Sequence, residues 1–391
     1  MKRFRLAVAA GLVSIACCSS PAQEPPQVLV TDSGVQTGTI GPGAPAHTIG
    51  LQRHQQTMVM DTGTQTFGLQ YVIARDPKDP LAAIPGEGYI GMPQPEGCNW
   101  YAGGFIDLRI NGQTIGTTLI HSLTGRRSEG CGTVDFVFDT PEAVIRVRFV
   151  ARAGEDCLYA QALLEPKVEI KSVRVVTRCY PSAFVTRGDR HVLTPTRDVK
   201  QGEKAELNNA NEWWTLYYDR IYDAGYVGTT RRGIGPCAML WVPSQIKKAS
   251  FTVGSYGIET VFDLKPTLRD FRFLFWDYAG KKNEVAKVDL SERAQLALQE
   301  LMGFAFIAPS FTNWPLQEKQ VEVQQVLASV PDDKETAVQY ERWGRELAAQ
   351  SKQVQSGSRR AIMAEASAAK IIDQWERGLP ALKLKALLNE I

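Results

Sequence analysis

Histidine is scarce in this chain: 4 in 391 residues, at His47, His54, His121 and His191. None falls into His-x-His or His-Glu-x-x-His spacing, so the pairs that seat a catalytic metal are missing. No two cysteines sit at Cys-x-x-Cys spacing, which removes zinc ribbons and dithiol redox motifs. No glycine-rich phosphate loop is present, since Gly41-Pro42-Gly43 belongs to an irregular approach segment. The sequence therefore predicts neither metal nor cofactor. An excess of one charge is also lacking. Lys and Arg number 44 against 42 Asp and Glu, a net charge of +2, so no global field recruits nucleic acid or an anionic membrane. After the first two dozen residues no apolar run approaches the roughly 20 residues of a membrane helix. The longest, Leu301 to Phe311, is short and holds Gly303 and Pro309.

The N-terminus has a clear organisation. Lys2, Arg3 and Arg5 precede an apolar run from Leu6 to Ala16, followed by Cys17-Cys18-Ser19-Ser20-Pro21-Ala22. A basic start, a short apolar stretch and a small-residue exit predict a secretory signal over residues 1–22 and an exported chain, in the periplasm, cell envelope or extracellular space. Ser14-Ile15-Ala16-Cys17 also resembles a bacterial lipoprotein signal, which implies a lipid anchor at Cys17 or, with Ile15 in the aliphatic position, at Cys18. Cleavage after Ala22, with Ser20 and Ala22 as the small residues, is the alternative. In an oxidising compartment the remaining cysteines (Cys98, Cys131, Cys157, Cys179, Cys237) would form at most two disulfides. Cys98 and Cys131 both follow Glu-Gly and make the first pair to consider. Buried thiols are the other reading.

From Val28 to about Leu290 short runs rich in Val, Ile, Phe, Thr and Tyr alternate with Gly, Pro, Asn and Asp, the pattern of successive strands. Phe105 to Ile110 ends in Asn111-Gly112, a hairpin turn signal, with Thr114 to His121 as the expected return strand. In Ala143 to Ala151, Ile145, Val147 and Phe149 oppose Val144, Arg146 and Arg148, which predicts one buried face and one wet one. A dozen strands without intervening helices predict antiparallel sheets packed face to face. The arrangement is either one large supersandwich or two sandwiches fused near residue 190. Helix formers dominate over 291–391, with Ser291 as N-cap, a middle helix carrying Val338, Trp343 and Leu347, and a last helix ending at Gly378 before Pro380. Ile371, Ile372, Trp375 and Leu379 recur at helical steps and serve either self-packing or a protein partner.

Two aromatic segments are the candidate binding residues. Glu212 to Tyr222 places Trp213, Thr215, Tyr217 and Asp219 on one strand face, and Arg231 follows downstream. Asn99-Trp100-Tyr101 forms a second aromatic loop. Flat rings stack on the apolar faces of sugars while Asp and Arg bond hydroxyls, so Trp100, Tyr101, Trp213, Tyr217, Asp219 and Arg231 predict a saccharide platform. The same rings equally suit a sandwich core, with Asp219 paired to an arginine. Separately, Met58-Val59-Met60-Asp61-Thr62-Gly63-Thr64 resembles the active-site signature of aspartic proteases. That resemblance implies a catalytic Asp61 paired with a second aspartate, yet no second Asp-Thr-Gly exists. The plain alternative is an aspartate in a turn.

In strand number and length the chain resembles the supersandwich class of galactose-mutarotase-like and polysaccharide-lyase domains. The resemblance implies a saccharide-related role without assigning catalytic residues, because fold and function separate readily. The expected function is exported binding of a saccharide or glycoconjugate. The alternatives are a carbohydrate-active lyase or hydrolase using Asp219, and a structural envelope protein docking a partner through its C-terminal helices.

Overall fold

The computed structural model describes residues 27–128, 130–182, 187–224, 234–306, 314–355 and 361–389. The expected N-terminal signal, with Cys17 and Cys18, lies outside these residues, as do Arg231 and the expected break at 356–358. The described chain forms an eleven-stranded and a nine-stranded sheet, with every strand pairing antiparallel. The larger sheet runs Leu29–Asp32, Gln52–Asp61, Thr66–Asp76, Asp79–Gln94, Ile106–Ile110, Val173–Cys179, Ile258–Leu264, Ile246–Val253, Lys204–Leu207. Gln36–Thr39 and Gln113–Thr114 pair beside this path. The smaller runs Asp198–Lys200, Arg190–Leu193, Trp214–Asp219, Cys237–Trp241, Asp270–Asp277, Cys157–Pro166, Ala143–Arg152, Cys131–Asp139, Ile120–Ser128. Strands from before and after residue 190 enter both sheets. The chain is thus one large antiparallel β-sandwich, and the alternative of two sandwiches fused at 190 is set aside.

The hairpin at Asn111-Gly112 forms as its sequence dictates, with φ of 50° and 85° at the two turn residues. The return strand is only Gln113–Thr114, however. A single helical turn then carries the chain into the opposite sheet as Ile120–Ser128. This switch of sheets replaces the continuous strand expected from Thr114 to His121.

Between the sheets lies a core that includes Met60, Phe67, Phe105, Phe149, Phe262 and Phe275. The outer face of the smaller sheet is dry as well. Helix α1 (Asn283–Gly303) lays Ala286, Leu290, Ala294 and Leu301 on Trp214, Leu216, Leu240, Leu274 and Trp276. Full burial of a leucine such as Leu290 or Leu301 stabilises by about 1.5–3 kcal/mol. Helix α1 starts eight residues before the expected cap. Asn283 anchors it, its amide N–H donating to Asp223 Oδ1 (2.8 Å) and its Nδ2 to the Asp219 carbonyl (2.7 Å). Ser291 sits mid-helix and donates its hydroxyl to the Lys287 carbonyl, so the helical region begins at 283 rather than 291.

Helices α2 (Leu316–Ala328), α3 (Lys334–Gln355) and α4 (Ala361–Asn389) pack on one another through Val323, Tyr340, Leu347, Ile371, Ile372, Trp375 and Leu379. The α4 stripe is therefore used for self-packing. On α3 the inward residues are Tyr340, Trp343 and Leu347; Val338 points outward, 61 % exposed. Helix α4 continues through Pro380 instead of stopping at Gly378. A proline inside a helix costs about 3 kcal/mol, but Leu382 and Ala386 extend the buried stripe beyond it. Gly378 leaves room for the Tyr340 hydroxyl. Among the described residues no helix is long and apolar enough to cross a membrane.

The start of α4 lies across the smaller sheet, with Ile362 and Ala366 on Val137 and Val144. This covers the strand face expected to be wet: Arg146 and Arg148 are 6 % and 1 % exposed. Arg148 holds both oxygens of Asp135 at 2.6 Å and reaches Glu365 on α4 at 2.8 Å. Glu365 also takes a close contact from Arg146. Removing one member of a buried ionic cluster strands the others, at a cost of about 3–5 kcal/mol. Glu365→Ala is accordingly expected to lower unfolding stability by about 3 kcal/mol or more in urea titrations. A loss well under 1 kcal/mol would show that the cluster does not hold the helix.

Candidate functional site

The structure brings the two aromatic segments together, but inside the core. Trp100 and Tyr217 are edge-to-face at 5.7 Å, and Trp100 also packs on Phe105 and Phe275. Trp100 donates its indole N–H to the Trp276 carbonyl (2.8 Å), while the Tyr217 hydroxyl meets Thr260 Oγ1 at 2.8 Å. Neither ring offers a face to a ligand. Trp213 is half-buried at the strand entrance, packed against both apolar clusters. Asp219 is fully buried. Its Oδ1 accepts the amide N–H groups of Ile221 and Tyr222 (2.8 and 2.9 Å), and its cross-strand neighbour is the equally buried Arg190. Glu212, at the head of the segment, is also a structural group. Burial favours its neutral form, but the Asn208 amide, Thr196, Thr194 and Arg197 outweigh that and hold it at about 2.

The protease-like signature is likewise a turn. Asp61 ends strand Gln52–Asp61, and its Oδ1 accepts the Gly63 amide at 2.8 Å. All five cysteines are thiols in this structure. Cys98 is buried within the 94–104 segment, whereas Cys131 packs with the cluster under α1, and both are free thiols, so the expected Cys98–Cys131 bond is not made.

Tyr101 is the exception among the sequence candidates. Its neighbour Trp100 is fully buried, while Tyr101 stays half-buried at the edge of the core with its ring over Gly103. It meets Tyr180 edge-on at 4.6 Å, and Tyr180 meets the half-exposed Tyr256 at 4.7 Å. Burial, reinforced by its two tyrosine neighbours, pushes the Tyr180 hydroxyl up to about 12. Gly103 also borders a cavity of about 250 Å³ on the outer face of the larger sheet, lined by Tyr89, Gly104, Asp107, Arg109, Thr114 and Arg178 among others. Its back wall exists because Gly88 and Gly116 lack side chains: a Cβ on either would run into the other's carbonyl oxygen. Arg109 Nε donates to Asp107 at 2.7 Å, Thr114 closes on the same carboxylate, and Arg178 Nε donates to Glu259 at 3.0 Å. The charges are paired in advance, and the cavity presents an aromatic residue with fixed donors and acceptors. Sequence reasoning missed Tyr89, Asp107, Arg109 and Arg178, which are far apart in the chain. The one signal was the crowding of glycines at 88, 91, 103, 104 and 116.

One more group was not anticipated. Asp277 is buried at the end of its strand, accepting from Asn99 Nδ2 (2.8 Å) and the Ala279 amide (2.9 Å) through Oδ1; its Oδ2 has no partner among the described residues. Burial raises it to about 8 against the opposing hydrogen bonds from Asn99 and Ala279. At neutral pH it is mainly the neutral acid. No cluster of His, Cys, Asp and Glu suited to a metal occurs among the described residues.

No protein-family model matches this chain, and no curated protein matches it. Among solved structures it is similar to an alpha-mannosidase from Enterococcus faecalis V583 (TM-score 0.37, 7% identity, 71% of this chain and 40% of that one). It is also similar to a GH36 alpha-galactosidase from Geobacillus stearothermophilus in complex with stachyose (0.33, 11%, 58% and 41%). A third is an alpha-galactosidase from Lactobacillus brevis (0.32, 8%, 62% and 40%). The chain spans about two fifths of the length of these enzymes. Likenesses this distant say nothing of its own substrate or activity.

Asp277 generates a pH prediction. The unfolded chain ionises this carboxyl near the ordinary 3.8, the folded chain only near 8. Between those values the folded state binds the extra proton, so the group's stabilisation is full below the lower value and is lost as pH rises to the upper. Asp277→Asn, which mimics the neutral acid, is expected to match the wild type in urea unfolding at pH 4 and to exceed it increasingly up to pH 8. A stability difference that does not change with pH would refute the buried neutral acid.

Proposed function

We propose that this chain is an exported protein that binds a saccharide or glycoconjugate in the cavity bounded by Tyr89, Asp107, Arg109 and Arg178. The observation that carries the reading is the cavity itself. Its roughly 250 Å³ suit one or two sugar rings, an aromatic residue stands beside paired polar groups, and Tyr101, Tyr180 and Tyr256 continue from its Gly103 edge. Sugars need this mixture, because each ring has an apolar face and a rim of hydroxyls that both donate and accept. Export rests on the basic and apolar signal pattern of residues 1–22, with a lipid anchor at Cys17 or Cys18 as one outcome of its processing.

Binding is favoured over hydrolysis or lyase chemistry. Asp107 is the one carboxylate among the described residues lining the cavity, and glycoside hydrolysis uses two. Asp219 is buried away from solvent, so it serves the fold rather than a reaction. Docking of a protein partner through the helices is a second reading. It is supported by Leu384, Leu387 and Leu388, each more than half exposed near the end of α4.

A glycan-array screen of the full chain, followed by calorimetric titration, tests the first reading. Tyr89→Ala is expected to weaken the best glycan by about tenfold, which corresponds to about 1.4 kcal/mol. Trp213→Ala is expected to lower stability and leave the affinity of the folded protein unchanged. Binding lost with Trp213 but retained without Tyr89 would place the ligand elsewhere, and binding to no glycan would end the saccharide reading.

A further inference from the structure

We propose that Cys179 and Cys237 form a disulfide that joins the two sheets, made as the chain folds in the presence of a disulfide oxidant. Cys179 closes strand Val173–Cys179 of the larger sheet, and Cys237 opens strand Cys237–Trp241 of the smaller. Both belong to the core between the sheets and are 0–1 % exposed. Three contacts place them opposite each other. Two residues along each strand, Thr177 Oγ1 touches Met239 Sδ at 3.5 Å, so the strands face one another in register. Beside that rung, Tyr217, which pairs with Cys237, meets Thr260, which pairs with Thr177, at 2.8 Å across the sandwich. Consecutive residues of the 94–104 segment then contact both cysteines. The Cys237 thiol donates to the Asn99 carbonyl at 3.1 Å, and Trp100 forms an isolated bridge with Cys179. Both cysteines are thiols in this structure.

Formation balances with a low-molecular-weight disulfide as oxidant. One cysteine thiolate attacks an oxidant sulfur, breaking that disulfide and releasing one thiolate. The second cysteine then attacks the mixed disulfide, closing the Cys179–Cys237 bond and releasing the other oxidant thiol. Two electrons pass to the oxidant, and the protons lost by the cysteines go to its thiolates. Burial pushes the Cys237 thiol well above its ordinary range and shields it from reagents, so oxidation precedes closure of the core. Cys98, Cys131 and Cys157 remain thiols.

The full chain is denatured, reduced, and refolded once with oxidised and reduced glutathione and once with dithiothreitol. Alkylation in denaturant without reductant, followed by peptide mapping, reads the pairing. The expected result with glutathione is one linked peptide pair holding Cys179 and Cys237, with Cys98, Cys131 and Cys157 each alkylated, and a higher urea midpoint than the dithiothreitol sample. The Cys98→Ser, Cys131→Ser, Cys157→Ser triple variant is expected to give the same linked pair. Cys179 and Cys237 both alkylated after glutathione refolding, or either of them bonded to another cysteine, would overturn the proposal.

Discussion

Glu365, held between Arg146 and Arg148, is the contact on which the arrangement of layers depends. Two guanidinium groups on a sheet face would ordinarily mark that face as solvated. Here α4 lies over them and supplies the carboxylate that makes their burial tolerable, with Asp135 completing the set. Around it the same helix adds Arg126–Asp373 at 3.2 Å, and Glu165 accepts the Ile362 amide at 3.0 Å near the helix start. With α1 covering the other half, the middle of the smaller sheet is dry on both faces, which explains strands such as Trp214–Asp219 whose six residues are all buried.

The larger sheet is the opposite case. Its outer face carries the cross-strand ion pairs Arg174–Asp263 and Arg178–Glu259, both substantially exposed and worth little individually. Among the described residues no helix covers that face along Val173–Cys179, so charged residues stay in water and a polar cavity can persist between strand and loop. The asymmetry between a helix-covered sheet and a wet one positions the candidate site on the wet side.

Much of the fold was legible from pattern. The runs Phe105 to Ile110 and Ala143 to Ala151 located strands, and the Asn111-Gly112 turn formed as its residues require. What failed were inferences about the second face of an element. Arg146 and Arg148 reveal their cover only once α4 is placed, more than two hundred residues downstream. Ser291 and Pro380 carry local signals that long-range packing overrides, through Asn283 at one helix and Leu382 with Ala386 at the other. The aromatic segment at 212–222 misled for the same reason: a half-buried sheet would have left one of its faces open, and here the core takes one and α1 the other. Tyr89, Asp107 and Arg178 had only the neighbouring glycines to mark them, because three separate strands bring them together.

The decisive measurement is a crystal structure of the chain with the glycan that binds it best. The sugar is expected in the cavity between Tyr89 and Arg178, with a hydroxyl bonded to Asp107 or Arg109. Density for the glycan on the C-terminal helices, or at any other surface with this cavity empty, would contradict the assignment.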